Sequence, residues 1–213
     1  MSPFPIILSA PSGGGKTTIA RALLARRPDL GYSVSCTTRA PRPGEVEGDD
    51  YYFMSRSDFI ARREQDGFAE WAQVHGNLYG TLRSEVERVM AAGRHIVMDI
   101  DVQGFLQFRK AFPSTVTIFI LPPSAEVLLE RLRARKTESP AQLAARLESA
   151  LQELQQVSEY EYVVVNDALE RAVASVEAII DAETVSRERV KNLRQQVGQL
   201  IERLEQEIEK HTP

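Results

Sequence analysis

The sequence lacks the features that mark several large classes of protein. One cysteine, Cys36, among 213 residues excludes a disulfide within the chain and leaves no cysteine ligand set for a metal. The three histidines are scattered, and no hydrophobic run approaches the roughly 20 residues of a membrane span. The net charge of −4 provides no basic field to attract nucleic acid or a membrane surface. We therefore expect a cytoplasmic protein in a reduced setting, without nucleic-acid or membrane partners.

Apolar strands alternate with helices along most of the chain, which predicts an α/β fold whose parallel sheet is covered on both faces. The predicted core strands are residues 6–9, 95–100, 115–121 and 162–166. Residues 35–82 break this alternation with short strands, which predicts a small antiparallel insertion. The arginine-rich loop near residues 131–139 predicts a second insertion.

The first strand runs into the stretch ILSAPSGGGKTT, residues 7–18, which is typical of a phosphate-binding loop. Its three glycines, Gly13, Gly14 and Gly15, let backbone N–H groups turn toward an anion, and the following helix adds its positive dipole end. Lys16 is predicted to reach the terminal phosphates, and the Thr17 hydroxyl is suited to Mg²⁺. The usual first glycine of the pattern is Ala10 here.

Two carboxylates, Asp99 and Asp101, follow the second core strand in the stretch HIVMDID. Their spacing of two residues places both on one face at the carboxyl end of the strand, where ligands bind in open parallel sheets. They either hold Mg²⁺ through water or only cap the next helix. The cost of burying two acids without partners favours the metal.

A second anion site is predicted in the stretch TTRAPRPGEVEGDDYYF, residues 37–53. Arg39 and Arg42 lie three residues apart in a loop shaped by proline and glycine, and Tyr51 follows them. Arginine forms charge-assisted, often bidentate bonds to phosphate, and a tyrosine hydroxyl adds a neutral donor. The stretch therefore indicates a clamp for the phosphate of an acceptor.

With these stretches, the sequence resembles the guanylate kinase family over residues 6–183. The pattern T-T-R-x-x-R-x-x-E-x-x-G-x-x-Y-x-F is complete, and further matching stretches occur in the family's order: EWAQVHGNLYGT, DIDVQG, RLRARKTES and VVVND. Many bacterial members carry the same Ala-Pro-Ser-Gly, so Ala10 is an ordinary variation. The resemblance implies a P-loop NTPase-type three-layer fold with a GMP-binding insertion and a helical lid. It also implies in-line transfer of the γ-phosphate of ATP, with Mg²⁺, to GMP or dGMP in purine nucleotide metabolism.

The resemblance also implies a role for each matching residue. The residues implied to bind ATP are Ala10, Pro11, Ser12, Gly13, Gly14, Gly15, Lys16, Thr17, Thr18 and Asn166. Those implied to bind GMP are Ser35, Arg39, Arg42, Tyr51, Glu70, Tyr79, Thr81, Asp99 and Asp101. Those implied to act in catalysis are Lys16, Arg39, Arg42, Asp99, Arg131, Arg135 and Arg146, with Thr17 and Asp99 toward the metal. Asn166 either contacts adenine or only ends its strand.

The carboxylate of Glu70 fits guanine for a physical reason. Guanine presents two adjacent donors, N1–H and the 2-amino group, whereas adenine presents an acceptor there. A buried carboxylate facing adenine would remain unpaired, at a cost of about 1–3 kcal/mol.

The predicted organisation has four parts. A core P-loop domain comprises residues 1–34, 84–130 and 147–185, a GMP-binding insertion residues 35–83, a lid residues 131–146, and a helical extension residues 186–213. In the lid, Ala134 and Lys136 stand where many members have glycine, which predicts a stiffer lid. In the extension, apolar residues recur every three or four positions between 190 and 208. This short heptad stripe either pairs two subunits or packs back on the domain, and it favours a homo-oligomer.

Three other functions fit parts of the sequence less well. A non-catalytic guanylate-kinase-like module that binds a protein would not need Lys16 and the lid arginines. A P-loop kinase for another small molecule would not need Ser35, Glu70 and Thr81 together, and a GTPase would have no use for the second anion clamp.

Overall fold

The computed structural model describes residues 2–74, 76–100, 102–133 and 140–211. Its central sheet has five parallel strands in the order β2-β7-β1-β8-β9. These strands are β1 (Pro5–Ser9), β2 (Leu30–Tyr32), β7 (His95–Asp99), β8 (Val116–Leu121) and β9 (Tyr162–Val165). The predicted α/β fold with a central parallel sheet is confirmed, and the boundaries differ from the predicted ones by a few residues at most.

The two faces of this sheet are both buried, as the apolar strands predict. Ile7 packs in one cluster with Met98 of β7 and Phe119 of β8, while Ile6 and Leu8 on the opposite face are also fully buried. Leu8 pairs with Asp99 in the parallel register. The carboxyl ends of β1 and β7 therefore meet at one edge of the sheet.

Eight α-helices are found among the described residues, and several of them cover the faces of the central sheet. In the first part of the chain they are α1 (Lys16–Arg26), α2 (Arg56–Glu64), α3 (Arg83–Ala91) and α4 (Val102–Ala111). They are followed by α5 (Ala125–Arg133), α6 (Pro140–Gln155), α7 (Leu169–Thr184) and α8 (Leu193–His211). Helix α1 contacts β1, β2 and β7, whereas α3 and α4 contribute Val86, Val89, Phe105 and Phe108 to the cluster around Ile7.

A second sheet forms in the region predicted as an insertion. It has the order β4-β3-β6-β5 and consists of β3 (Cys36–Thr37), β4 (Tyr52–Phe53), β5 (Phe68–Val74) and β6 (Asn77–Leu82). Two of its pairs are antiparallel, but β3 and β4 run parallel, so the sheet is mixed rather than purely antiparallel. Cys36 and Phe59 anchor a separate small core beneath it.

The predicted lid falls partly on residues that the structure describes. Leu128 and Leu132 of α5 pack against Ala150 of α6. Arg135, Ala134 and Lys136 lie outside the described residues, as does Asp101 after β7. The subdivision into core, insertion, lid and extension therefore stays a prediction.

The chain divides into two compact units, residues 3–177 and the segment from residue 178 onward. The first unit contains both sheets. The second contains α8, none of whose residues is buried. Among the described residues, no helix combines the length and hydropathy that crossing a bilayer requires.

Candidate active site

The loop between β1 and α1 is shaped by its glycines. The Gly14 N–H donates to the Pro11 carbonyl at 2.7 Å, which closes a tight turn after Ser9. Gly13 and Gly15 have φ angles of 83° and 93°, a left-handed conformation that favours glycine. Gly15 immediately precedes the first turn of α1. The loop therefore turns the free N–H groups of the helix start toward the space where an anion would bind.

Asn166 supports this loop from the end of β9. Its side-chain amide is buried and donates to the Gly14 carbonyl at 2.9 Å. A Cβ atom on Gly15 would lie only 2.5 Å from the Asn166 Nδ2 atom, so the loop and the amide fit each other closely. The Asn166 amide therefore holds the Gly14 carbonyl in place.

Helix α6 supports the loop from the other side. The Ser12 N–H donates to Glu153 Oε2 at 2.9 Å, and the Arg146 guanidinium donates to the Ser12 hydroxyl at 3.3 Å. Arg146 also donates to the Leu132 carbonyl at 3.0 Å, which ties α6 to α5. Arg146 and Glu153 are seven residues, or about two turns, apart and so lie on one face of α6.

A pocket of about 330 Å³ lies beside the loop and the last turn of α5. Its lining includes Gly13, Gly15, Thr18, Arg131 and Asn166. Arg131 Nη2 is 3.4 Å from the Asn166 carbonyl, and Nη1 is buried and has no hydrogen-bond partner among the described residues. A buried guanidinium with an unused donor is suited to an anionic ligand.

The carboxylate of Asp99 meets the start of α1. It accepts hydrogen bonds from the Thr17 hydroxyl at 2.6 Å and from the Tyr32 hydroxyl at 3.1 Å. Burial, together with the Asp99 charge, raises the pKa of Tyr32, so this phenol remains a donor at neutral pH. Neighbouring hydroxyl and carboxylate oxygens fit Mg²⁺, which takes one or two protein oxygens and fills its remaining positions with water and phosphate.

A cleft of about 900 Å³ connects the start of α1 with the second sheet. Nine of the residues predicted from the sequence line it: Lys16, Thr17, Ser35, Arg39, Arg42, Tyr51, Glu70, Tyr79 and Asp99. They come from separate segments that the two sheets bring together. The structure thus joins the predicted donor loop and the predicted acceptor clamp in one cavity.

The polar floor of the cleft contains a buried carboxylate. Glu70 is 8% exposed, and one of its oxygens accepts a 2.7 Å hydrogen bond from the buried Thr81 hydroxyl on β6. A Cβ atom on Gly104 would lie 2.5 Å from the second oxygen, so only glycine lets α4 approach this closely. The carboxylate is therefore held in a fixed orientation.

Arg39 and Arg42 line the same cleft as Glu70. Arg39 forms a bidentate pair with Glu45, at 2.8 and 3.0 Å, and its guanidinium lies 5.4 Å from the centroid of the Tyr51 ring. The hydrogen bond from Arg39 holds the pKa of Glu45 below its usual range. Glu45 also accepts the Arg42 N–H at 2.7 Å, which fixes the loop between the two arginines. The rings of Tyr51 and Tyr79 lie edge to face with centroids 6.0 Å apart.

Sequence reasoning missed three side chains that shape the site: Tyr32, Glu45 and Glu153. Glu45 is the glutamate of the pattern T-T-R-x-x-R-x-x-E, and Glu153 follows Arg146 by seven positions, so both were detectable. Nothing in the sequence placed the Tyr32 hydroxyl near Asp99. Within the described part of the chain, no cluster of three or more His, Cys, Asp or Glu side chains could hold a metal by itself.

Comparisons with known proteins identify the family of this chain. The family model described as guanylate kinase matches residues 2–183. The guanylate kinase of Symbiobacterium thermophilum is 49% identical over 178 residues, 84% of each chain. That of Rhizobium meliloti is 48% identical over 197 residues, 92% of this chain and 90% of the relative.

A comparison with solved structures leads to the same family. The crystal structure of guanylate kinase from Anaplasma phagocytophilum superposes with a TM-score of 0.74 at 35% identity. The match covers 91% of this chain and 93% of that one. The chain belongs to the guanylate kinase family.

Proposed function

We propose that this chain transfers the γ-phosphate of ATP to GMP, or to dGMP, and releases ADP and the nucleoside diphosphate. The observation that carries the proposal is the single cleft that Lys16 and Thr17 share with Arg39 and Glu70. A phosphate-binding loop alone would indicate only a nucleotide. A second anion clamp and a buried carboxylate facing the same space indicate a second nucleotide that receives the phosphate.

Guanine recognition is assigned to Glu70 with Ser35 and Thr81. The Thr81 hydroxyl donates to one oxygen of Glu70, and a carboxylate only accepts hydrogen bonds, so this buried group is suited to the N1–H and 2-amino donors of the base. The Ser35 hydroxyl lines the same cleft and is suited to the carbonyl edge of guanine. Adenine would leave the buried carboxylate without a donor, which disfavours AMP. Asp101, which lies outside the described residues, is proposed to assist at this edge.

The GMP phosphate is assigned to Arg39, Arg42, Tyr51 and Tyr79, which surround the upper part of the cleft. Glu45 accepts two hydrogen bonds from Arg39 and the Ala40 carbonyl accepts a third, whereas a guanidinium has five N–H donors. Burial raises the pKa of Tyr51, so its hydroxyl remains protonated and can donate to phosphate. This clamp orients a phosphate oxygen of GMP toward the donor.

The ATP phosphates are assigned to the loop from Ala10 to Gly15, together with Lys16, Thr17 and Thr18. Thr17 and Asp99 are the residues that would hold Mg²⁺ at the edge of the sheet, Asp99 directly or through water. Such an ion supplies charge neutralisation at the β- and γ-phosphates. The pocket lined by Arg131 and Asn166 extends from the loop and is assigned to the remainder of ATP.

The reaction needs positioning more than a strong base. An oxygen of the GMP phosphate attacks the γ-phosphorus in line, and the bond from that phosphorus to the oxygen of ADP breaks. Lys16 and the lid residues Arg131 and Arg146, with Arg135 outside the described residues, are proposed to stabilise the charge on the migrating group. Closure of the lid would exclude water, which otherwise competes as an acceptor.

A screen of acceptors tests this proposal. ADP formation from ATP and Mg²⁺ is measured with GMP, dGMP, AMP, CMP and UMP, and GMP is expected to exceed AMP, CMP and UMP by at least about 100-fold. A preference for another monophosphate would overturn the assigned specificity. No ADP with any acceptor would favour a non-catalytic module.

A further inference from the structure

Helix α8 carries an apolar stripe that is exposed over most of its length, from Val197 to Ile208. The stripe consists of Leu193, Val197, Leu200, Ile201, Leu204 and Ile208, which we call the α8 face. At 100° per residue these six side chains fall within an arc of about 100°. Leu200, Leu204 and Ile208 are 65%, 64% and 63% exposed. Contiguous apolar surface of this kind is uncommon on a monomeric protein and marks an interaction site.

The α8 face lies outside the part of the chain that carries the proposed catalytic residues. The match to the guanylate kinase family model ends at residue 183, ten positions before the helix begins. The family match therefore does not cover the stripe, and its occupant must be inferred from its own pattern.

The order of residues in the stripe is self-complementary. When α8 is paired with an antiparallel copy of itself, centred between residues 200 and 201, Leu193 lies opposite Ile208 and Val197 opposite Leu204. Leu200 lies opposite Ile201 at the centre. Every apolar residue meets an apolar residue, and a two-fold axis relates the two halves, as in an isologous dimer interface.

The distribution of charge selects this antiparallel arrangement. In the pairing centred between residues 200 and 201, residues 190–199 of one copy lie opposite residues 202–211 of the other, and residues 190–199 contain Lys191 and Arg194 and no acid, a net charge of +2. Residues 202–211 contain four glutamates against Arg203 and Lys210, a net charge of −2 with His211 neutral. An antiparallel pair places the basic end beside the acidic end and opposes the two helix dipoles. A parallel pair would place like charge beside like charge.

Two oppositely charged residues beside the stripe also favour the antiparallel pair. Arg194 and Glu205 are eleven residues, or about three turns, apart and so lie on the same flank of the stripe. In antiparallel pairs the same flanks of the two helices meet. Arg194 of one copy therefore faces Glu205 of the other, at both ends of the interface.

We propose that the α8 face binds the α8 face of a second copy of this chain, in the antiparallel orientation, and forms a two-fold dimer. The stripe spans 16 residues, or about 24 Å, which is just over two heptads. Coiled coils that are stable alone extend over three or four heptads. The dimer is therefore expected to form reversibly, in a concentration-dependent equilibrium.

Sedimentation equilibrium of the whole chain over a wide concentration range tests the interface. The mass is expected to rise from the monomer value of 23.9 kDa toward twice that value. Leu200→Glu with Leu204→Glu should keep the chain monomeric at every concentration. The matched control, Gln199→Glu with Gln206→Glu, adds the same charge on the opposite side of α8 and should still dimerise. A wild-type mass that remains monomeric, or a control that behaves like the leucine variant, would overturn the proposal.

Disulfide trapping tests the orientation. Val197→Cys and Leu204→Cys are made in separate chains of different tag length, and the chains are oxidised alone and mixed. The antiparallel pair predicts a cross-link chiefly between the two different chains. The native Cys36 does not interfere, because it is fully buried and burial raises the pKa of its thiol to about 12. Cross-linking of the Val197→Cys chain to itself would indicate a parallel pair and contradict the proposal.

Discussion

The two sides of the cleft, both proposed to hold phosphate, are built differently. On the donor side, the loop from Ala10 to Gly15 offers backbone N–H groups, and its shape depends on Gly13 and Gly15 at positive φ. On the acceptor side, side chains from separate strands carry the interaction, and Arg39 and Glu70 each have a protein partner. The donor site therefore depends on the conformation of one segment, whereas the acceptor site depends on the chemistry of individual groups.

The largest expected effect is a loss of kcat from a substitution on the donor side of the cleft. Lys16 is the charged residue of the loop that is predicted to stabilise the phosphoryl group during transfer. Because Lys16→Met removes this charge, kcat is expected to fall about 1,000-fold. The KM for GMP should change little, because Lys16 is not assigned to the acceptor. Steady-state kinetics with both substrates varied measures the two parameters. Lys110→Met, on the exposed surface of α4, is the control and should leave kcat unchanged.

The second-largest expected effect is a rise in the KM for GMP from a substitution on the acceptor side of the cleft. Glu70→Gln keeps the shape of the side chain but presents an amide where guanine requires an acceptor. The KM for GMP is expected to rise about 10- to 100-fold, while the KM for ATP stays within about twofold. Glu64→Gln, exposed on α2, is the matched control. An equal rise in both KM values would count against the assigned role.

A smaller effect is expected where a side chain supports the donor loop. Glu153→Ala removes the carboxylate that accepts the Ser12 N–H, so the loop loses one of its contacts to α6. The KM for ATP is expected to rise about tenfold, with GMP little affected, since a hydrogen bond to a charged group contributes about 1.5–3 kcal/mol. Glu148→Ala, exposed on the same helix, should have no such effect. If both variants behave alike, Glu153 acts only through helix stability.

The smallest effect concerns the pair of Arg39 and Glu45 and depends on pH. The pKa of Glu45 is lower in the folded chain than in the unfolded one, so the pair stabilises the fold at neutral pH. This stabilisation is lost as the pH falls through the folded pKa, below about 4.3. Glu45→Gln is expected to lower Tm by about 2 °C at most at pH 7. The difference from the wild type should vanish at low pH, which calorimetric scans at pH 7 and below pH 4 would detect. A difference that persists unchanged at low pH would contradict this origin.

The difference between the two sides also explains what the sequence could predict. The donor loop is contiguous, so Gly13 to Thr17 were predicted with their structural context, and Ala10 proved to be a buried position that tolerates a methyl group. The acceptor residues were identified through several stretches in family order. Side chains that reach across the fold were harder to predict, because their partners are distant in sequence. Tyr32 and Asp99 are 67 positions apart, and Ser12 and Glu153 are 141 apart.

The second sheet shows another limit of sequence reasoning. Its short strands were predicted from local patterns, but pairing direction depends on which strand lies beside which. The segment between β3 and β4 returns the chain so that Cys36 and Tyr52 pair in parallel. No local pattern in residues 38–51 encodes that direction. The prediction of an antiparallel insertion was therefore right in location, and the structure adds one parallel pair.

Equilibrium binding tests most directly the central claim that one cleft holds two separately built nucleotide sites. Isothermal titration calorimetry measures the Kd of GMP, and of a non-hydrolysable ATP analogue with Mg²⁺, for the wild type and for the Lys16→Met and Glu70→Gln variants. The account predicts a crossed result, in which Lys16→Met weakens only the ATP analogue and Glu70→Gln weakens only GMP, each by about tenfold or more. A single substitution that weakened both ligands to the same extent would contradict it.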